Sequence, residues 1–204
     1  MHLVVFGGSF DPVHRGHLAM ADAVQNQLHP DLILWVPSFH APHKQQRAPA
    51  AASIRLALLE IVVALRHGEE VCTLEIERQG FSFTVDTLRT LATHYENAEL
   101  SLLLGADSLE HLLTWRDVPE LFTRARFVFV PRPGWGAAQL EEFRGQLAPH
   151  LQKLFRADFL PMMEVPVSST AMRAALAAGQ MPADLPQLVQ LHIAAHGCYG
   201  FTKV

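Results

Sequence analysis

Residues 3–17 read Leu3-Val4-Val5-Phe6-Gly7-Gly8-Ser9-Phe10-Asp11-Pro12-Val13-His14-Arg15-Gly16-His17. A short apolar run leads through two glycines into a segment whose apolar residues are spaced as on one helix face: Leu18, Ala21, Val24 and Leu28. This order predicts a buried strand, a tight loop and a helix. The loop lacks the glycine spacing of the dinucleotide fingerprint and the Lys-Ser/Thr pair of a P-loop, which disfavours hydride-transfer enzymes and P-loop NTPases.

Apolar runs and helical periods alternate along the rest of the chain. Further strands are predicted at residues 32–36, 71–76, 100–104 and 127–130, with a weaker strand near 159–165. Helices are predicted from a Ser53 cap to about residue 65, from a Thr84 cap to about residue 96, and over 140–154, 172–176 and 185–195. This alternation indicates an α/β fold with a mostly parallel sheet, in which ligands bind beyond the carboxyl ends of the strands. No linker divides the chain, so we expect a single domain over residues 1–204, with a helical C-terminal portion from about residue 168.

The composition limits the classes of function. Half of the 204 residues are hydrophobic, 18% are charged and the formal net charge is −4, so nothing indicates a nucleic-acid partner, which normally selects a basic face. The apolar runs are far shorter than the ~20 residues of a membrane span, and no secretory signal is visible. Cys72 and Cys198 have no metal-ligand or redox spacing. We therefore expect a cytoplasmic protein with reduced cysteines, no nucleic-acid partner and no membrane association.

His14 and His17 are the first candidate functional residues. If a helix begins near His14, their spacing puts both imidazoles on one face at its N-terminus, where unpaired backbone N–H groups and the helix dipole favour phosphate. Two imidazoles there could donate hydrogen bonds to a phosphate whose charge shifts during transfer. Two other interpretations stay open: ordinary polar residues at a helix start, and a metal site, although no Cys or carboxylate nearby completes a ligand set.

A second candidate group precedes an Ala/Leu-rich helical run near the end of the chain. Ser168, Ser169 and Thr170 form a strong N-cap pattern there. Simple capping explains these hydroxyl groups but not Arg173, which is predicted within the first turn, where the helix dipole opposes a cation. An arginine at that place is favoured if an anion occupies the helix start. The β- and γ-phosphates of ATP would be such an anion.

Both groups resemble motifs of one superfamily. The string Gly8-Ser9-Phe10-Asp11-Pro12-x-His14-x-Gly16-His17 resembles the signature of the nucleotidyltransferases that carry a His-x-x-Gly-His motif, and residues 168–173 resemble their second motif, Ser-Ser/Thr-x-x-Arg. The resemblance implies a Rossmann-like fold with helices on both faces of the sheet. It also implies direct in-line attack of a substrate phosphate on the α-phosphorus of ATP, without a covalent enzyme intermediate and with release of pyrophosphate. The implied ATP-binding residues are Gly7, Gly8, Ser9, Phe10, His14, His17, Gly105, Asp107, Arg132, Ser168, Ser169 and Arg173.

Further segments resemble the bacterial nicotinate-nucleotide adenylyltransferase family. They are Val36-Pro37, Pro42-His43-Lys44, Phe83-Thr84-Val85-Asp86-Thr87-Leu88, Leu104-Gly105-Ala106-Asp107-Ser108, Thr114-Trp115 and Pro131-Arg132-Pro133-Gly134. The resemblance implies transfer of AMP from ATP to nicotinate mononucleotide in NAD biosynthesis, with Mg²⁺ bound to the ATP phosphates. The implied catalytic residues are His14, His17, Lys44 and Arg173, and the implied nicotinate mononucleotide-binding residues are Ser9, Lys44, Thr84, Asp107 and Trp115. Phe83 replaces a Tyr that is frequent in the family, and Cys198 replaces a common Leu.

Three alternatives share the phosphate motifs. A phosphopantetheine adenylyltransferase would leave Pro42-His43-Lys44 and Thr114-Trp115 unexplained. A preference for nicotinamide mononucleotide stays open, because the backbone donors that would distinguish an acid from an amide leave no side-chain signature. A non-catalytic nucleotide sensor of the same fold is disfavoured, since His14, His17 and Arg173 are all present. Residues 38–52 are expected to form a long, mobile loop, and the sequence does not resolve the oligomeric state.

Overall fold

Parallel strands form the central sheet. A computed structural model describes residues 1–42 and 48–202, so Lys44 and the middle of the 38–52 loop lie outside the described residues. The strands are β1 (His2–Gly8), β2 (Leu32–Pro37), β3 (Glu69–Val71), β4 (Glu99–Gly105), β5 (Arg126–Val130) and β6 (Ala157–Phe159). Every pairing between them is parallel, and their order across the sheet is β3-β2-β1-β4-β5-β6. The parallel sheet predicted from the sequence is confirmed.

Helices cover both faces of this sheet. They are α1 (Arg15–Leu28), α2 (Ala52–Val63), α3 (Leu74–Arg78), α4 (Thr84–His94), α5 (Val118–Arg124), α6 (Ala137–Gln146), α7 (Pro149–Gln152), α8 (Ser169–Ala177) and α9 (Gln187–His196). Leu3 and Val5 of β1 pack with α4, α5 and α6, whereas Val4 and Phe6 pack with α1, α2, α8 and α9. Successive strand residues point to opposite faces, so the central strands β1 and β2 serve both layers, which explains the continuous apolar runs at residues 3–6 and 32–36. The Rossmann-like architecture is confirmed.

The strand order reverses at β1. The chain runs from β1 to β2 and β3 on one side, and then returns to β4, β5 and β6 on the other. Such a reversal opens a crevice beyond the carboxyl ends of the two strands that flank it, here β1 and β4. The loops after β1 and β2 meet there, since the backbone N–H of Ser38 donates to the carbonyl of Gly8 at 2.8 Å.

The third strand, predicted at 71–76, lies earlier in the chain, as β3 over Glu69–Val71. β3 ends at Val71, and the chain turns into helix α3 at Leu74. Glu75 lies in the first turn of α3, which suits the helix dipole. Its buried carboxylate accepts a hydrogen bond from Thr87 Oγ1 of α4. A contact between two helices therefore overrides an apolar alternation that resembles a strand.

Several element boundaries also differ from the sequence-based ones. Ala51 is the cap residue of α2 and Phe83 that of α4, so Ser53 and Thr84 both lie inside their helices. The predicted 140–154 helix is broken into α6 and α7, because Pro149 disfavours helical backbone at the residue before it.

The C-terminal part shows one shifted strand and one boundary in the expected place. β6 ends at Phe159, ahead of Pro161, so the strand predicted at 159–165 lies earlier in the chain. Gly197 ends α9 in a left-handed conformation with φ of 63°, as the sequence predicts. None of the helices in residues 1–42 and 48–202 is long and apolar enough to cross a membrane. A single domain with a helical portion from about residue 168 stays a prediction.

The substitution Leu34→Ala tests the central position of β2 in the core. Leu34 is 1% exposed, so the cavity left by its truncation should lower the free energy of unfolding by about 2–5 kcal/mol. Leu191→Ala is the matched control, because Leu191 is 59% exposed and its truncation should change that free energy by less than about 0.5 kcal/mol. Urea unfolding followed by circular dichroism measures both, and equal losses would contradict the assigned core.

Candidate active site

His14 and His17 lie at the beginning of α1, directly after the loop that follows β1. His14 is the N-cap residue, and its backbone N–H donates to His17 Nδ1 at 3.2 Å. The two rings stack with their centroids 3.8 Å apart. Because His17 Nδ1 accepts this bond, the neutral ring carries its proton on Nε2. The structure thus brings both imidazoles to a helix N-terminus, whose backbone N–H groups attract anions.

The environment of His14 keeps its ring neutral. His14 is 3% exposed, and burial, followed by the positive charge of Arg132, lowers the pKa of its imidazole from 6.5 to about 4. Its Nδ1 atom is buried and has no hydrogen-bond partner among residues 1–42 and 48–202. At neutral pH this ring therefore offers hydrogen bonds and little positive charge.

Two residues of the first motif support the histidines by packing. Phe10 is 1% exposed, and its ring centroid lies 5.1 Å from that of His17. The Phe10 side chain therefore underlies His17, and any ligand contact of Phe10 would come from its backbone. Gly16 allows close approach of the segment before α8, since a Cβ atom there would lie 2.9 Å from Val167 Cγ2.

The second motif packs directly against the first. Ser168 is the N-cap of α8, and its Oγ accepts from the backbone N–H of Ala171 at 3.2 Å. Ser169 Oγ donates to the carbonyl of Pro12 at 3.1 Å. The capping expected from the sequence is therefore present, and the neighbouring hydroxyl fixes α8 to the loop of the first motif.

Arg173 is not placed as the sequence suggested. Because α8 begins at Ser169, Arg173 is its fifth residue and lies one turn beyond the helix start. Its Nη1 donates to the carbonyl of Asp11 at 2.6 Å and lies 3.4 Å from the Asp11 carboxylate. Its Nε is buried without a hydrogen-bond partner in the described part of the chain. Arg173 therefore anchors the first loop through Nη1, and its Nε–H is not used in that contact.

A larger cleft, with a volume of about 740 Å³, lies between the two motifs. The predicted ATP-binding residues that line it are His14, His17, Asp107, Arg132, Ser168 and Ser169. The N-termini of α1 and α8 both lie at this cleft, and Arg132 adds a cation. Convergent helix N-termini and a guanidinium are the groups that bind polyphosphates in proteins.

A smaller cleft, with a volume of about 290 Å³, lies beside the first and is mostly apolar. The predicted residues that line it are Gly7, Gly8, Ser9, Thr84, Asp107 and Trp115. Gly7, Gly8 and Ser9, which the resemblance assigns to ATP, thus face the smaller cleft and not the larger one. Phe10, Gly105 and Arg173 line neither cleft, and Lys44 lies outside the described residues.

Asp107 lies where the two clefts meet, since it lines both. Its carboxylate is 3.8 Å from Arg132 Nε. Gly105 makes room for this pair, because a Cβ atom there would lie 2.4 Å from Asp107 Oδ1 and 2.6 Å from Arg132 Nε. Arg132 is held by a turn in which its backbone N–H donates to the carbonyl of Trp135 at 3.0 Å. Gly105 thus acts on the site by leaving space for two other side chains.

The sequence patterns did not indicate two residues near the clefts, Arg116 and Arg55. Arg116 lines the smaller cleft, with its guanidinium carbon 4.8 Å from the centre of the Phe83 ring, and no sequence pattern distinguishes it from a surface arginine. Arg55 is buried beneath the loop of the first motif. A usable signal existed for Arg55, since it shares a helix face with the apolar Leu58, Leu59 and Val62.

Comparison with solved structures supports the fold. The structures of Plasmodium falciparum nicotinic acid mononucleotide adenylyltransferase complexed with APC and with NaAD both have a TM-score of 0.75 to this chain. Each comparison covers 98% of both chains, at 16% and 17% sequence identity respectively. At this level of identity the likeness concerns the fold alone.

Comparison with sequences identifies the family. A family model described as cytidylyltransferase-like matches residues 5–175. A protein of Gloeobacter violaceus named "Probable nicotinate-nucleotide adenylyltransferase" is 39% identical over 97% of this chain and 95% of its own length. A protein of Salinibacter ruber with the same name is 35% identical over 98% of both chains. Because these matches extend over almost the whole chain, it belongs to the cytidylyltransferase-like family and, within it, to the nicotinate-nucleotide adenylyltransferases.

Proposed function

We propose that this chain transfers AMP from ATP to nicotinate mononucleotide, giving nicotinate adenine dinucleotide and pyrophosphate in NAD biosynthesis. The observation that carries this proposal is the pair of adjoining clefts that meet at Asp107, the larger bordered by two helix N-termini and the smaller mostly apolar and lined by Trp115. Adenylyl transfer needs two substrates side by side, and the clefts offer that arrangement. The names of the relatives in the same family support the choice of substrates.

ATP is assigned to the larger cleft. Its phosphates would meet the N-terminus of α1 with His14 and His17, the N-terminus of α8 with Ser168, and the guanidinium of Arg132. These donors are held by the fold before the ligand arrives, so they can stabilise the charge that develops at the α-phosphorus without reorganising. His17 is the main candidate, because its neutral ring carries the donor proton on Nε2.

Nicotinate mononucleotide is assigned to the smaller cleft. The indole of Trp115 offers a flat surface for a pyridine ring, and the walls formed by Leu104 and Phe83 are apolar. Thr84 is the first residue of α4, so backbone N–H groups at this helix start can receive the carboxylate of nicotinate. Asp107, at the junction, can accept hydrogen bonds from ribose hydroxyls.

The transfer itself is a direct displacement. A phosphate oxygen of nicotinate mononucleotide attacks the α-phosphorus of ATP, and the bond to the β-phosphate breaks with release of pyrophosphate. A phosphate nucleophile is already ionised at neutral pH, so the chain needs no general base. Its residues then act by positioning the two substrates in line and by electrostatic stabilisation.

Magnesium would enter with the nucleotide. No group of three or more His, Cys, Asp and Glu among the residues that the structure describes could hold a metal ion. Mg²⁺ that is bound by ATP phosphates and water needs no such group, and it would neutralise phosphate charge. A cytoplasmic location is part of the same proposal and is supported by two free thiols, Cys72 and Cys198.

Pyrophosphate release tests the substrate assignment. We expect rapid release with ATP, magnesium and nicotinate mononucleotide, slower release with nicotinamide mononucleotide, and little with phosphopantetheine, because only the first carries a carboxylate for the start of α4. A preference for nicotinamide mononucleotide or phosphopantetheine would keep the chemistry and overturn the substrate. Binding of ATP without release in any mixture would favour the nucleotide sensor.

The substitution His17→Ala tests the catalytic role of the paired histidines. We expect turnover to fall by at least about 100-fold, as when one donor to a developing charge is removed. His94→Ala is the control, because His94 is an exposed residue in the last turn of α4 and lines neither cleft. Circular dichroism verifies that both variants are folded. Near-normal turnover of a folded His17→Ala protein would remove His17 from the mechanism.

The pKa of His14 tests where the phosphates bind. In the free protein we expect the pKa of His14 to lie near 4. A bound triphosphate should raise it, because nearby negative charge favours the imidazolium and offsets the charge of Arg132. Binding of the triphosphate would then cause His14 to take up a proton at pH values between its pKa in the free protein and its pKa in the complex. Nuclear magnetic resonance titration with a non-hydrolysable ATP analogue measures the shift, and adenosine, which lacks phosphates, is the control. An unchanged value at saturation would place the triphosphate elsewhere.

A further inference from the structure

Arg55 is a buried cation that the proposed mechanism does not use. It is 1% exposed and lies on the core face of α2, beside Leu58, Leu59 and Val62. Burial lowers the pKa of its guanidinium, so this environment disfavours the charge that the residue carries. An apolar side chain at this position would pack without a desolvation penalty. The contacts that the guanidinium makes must therefore offset this penalty.

The hydrogen bonds of Arg55 join three separate segments. Its Nη1 donates to the carbonyl of Ser9 at 2.8 Å, its Nε to that of Ala50 at 2.9 Å, and its Nη2 to that of Phe39 at 3.4 Å. Ser9 lines the smaller cleft, and Phe39 follows Ser38, which also lines it. One planar guanidinium thus holds the loop of the first motif against the chain that leaves β2 and the chain that enters α2.

Asp11 completes this arrangement from the other side. Its Oδ1 accepts from the backbone N–H of Ala50 at 3.3 Å, and its Oδ2 lies 3.4 Å from Arg173 Nη1. The carboxylate of Asp11 also favours the charged form of Arg55. Through Asp11 the clamp made by Arg55 is connected to α8, which borders the larger cleft.

We propose that Arg55 is a positioning residue of the active site, which holds Ser9 and the loop around it in the arrangement that binds both substrates. The proposal rests on the proposed function, since it concerns the same clefts. Arginine is required because its fork of donors reaches several carbonyls at once, whereas a lysine offers one compact ammonium. Without the clamp the loop would sample other arrangements, and ligand binding would have to select the competent one.

The test compares Arg55→Lys and Arg55→Met with Arg66→Met. Arg66 is a matched control, because it is also largely buried and hydrogen-bonded, to Glu69 at 2.7 Å and to Asp22 at 2.5 Å, yet neither it nor its partners line a cleft. Steady-state kinetics give kcat and KM for ATP and nicotinate mononucleotide. Calorimetric titration with a non-hydrolysable ATP analogue gives Kd, and circular dichroism at the assay temperature gives the folded fraction.

For both Arg55 variants we expect kcat/KM to fall about 100-fold, as a displacement of the substrates by about 1 Å would produce. KM and Kd should rise as well, which a mere loss of folded protein cannot cause. Arg66→Met should keep the wild-type KM and Kd even where it lowers thermal stability. Wild-type KM and Kd in a folded Arg55→Lys or Arg55→Met protein would overturn the proposal.

Chemical rescue provides a second variant should those two fail to fold. Guanidinium ion added at low millimolar concentration to Arg55→Ala should restore part of kcat/KM, while methylammonium should not, since only the former has the planar fork. Absence of rescue in a folded Arg55→Ala protein would count against the proposal. Absence of turnover in the wild-type protein would overturn the proposed function instead, and the Kd comparison would still decide the role of Arg55.

Discussion

The hydrogen bonds from Ser169 and Arg173 to the carbonyls of Pro12 and Asp11 are the interactions on which the site depends. They fasten α8, near the end of the chain, to the first loop after β1. The parallel sheet and its reversal at β1 create a crevice, and residues of α8 line the larger cleft there. The N-terminus of α8 thereby joins that of α1 at the larger cleft.

The two clefts differ in chemistry because different parts of the fold form them. The larger one lies at two helix starts, where backbone donors are unpaired. The smaller one lies over the carboxyl ends of β1 and β4, where the buried core residues Val5 and Leu104 line it. Asp107 belongs to both, so the reacting groups of the two ligands would meet at a position fixed by the end of β4.

Local patterns were predictable from the sequence, and contacts between distant segments were not. The spacing of His14 and His17 and the stop at Gly197 depend on neighbouring residues, so the sequence specified them correctly. The predicted strand 71–76 extended into the start of α3, and the hydrogen bond from Thr87 to Glu75 that fixes this helix joins two separate elements, which no local pattern reveals. The contact of Arg173 could not be predicted for the same reason, because its partner Asp11 lies near the other end of the chain. Sequence motifs therefore identified the two halves of the site but not the way they are joined.

The acceptors at Asp11 and Pro12 are main-chain carbonyls, which every amino acid supplies. These two acceptors therefore do not depend on the side chain present, whereas the Asp11 carboxylate, 3.4 Å from Arg173 Nη1, does. A substitution at Pro12 that preserves the backbone would keep the acceptor for Ser169, whereas loss of the Ser169 hydroxyl would remove the donor.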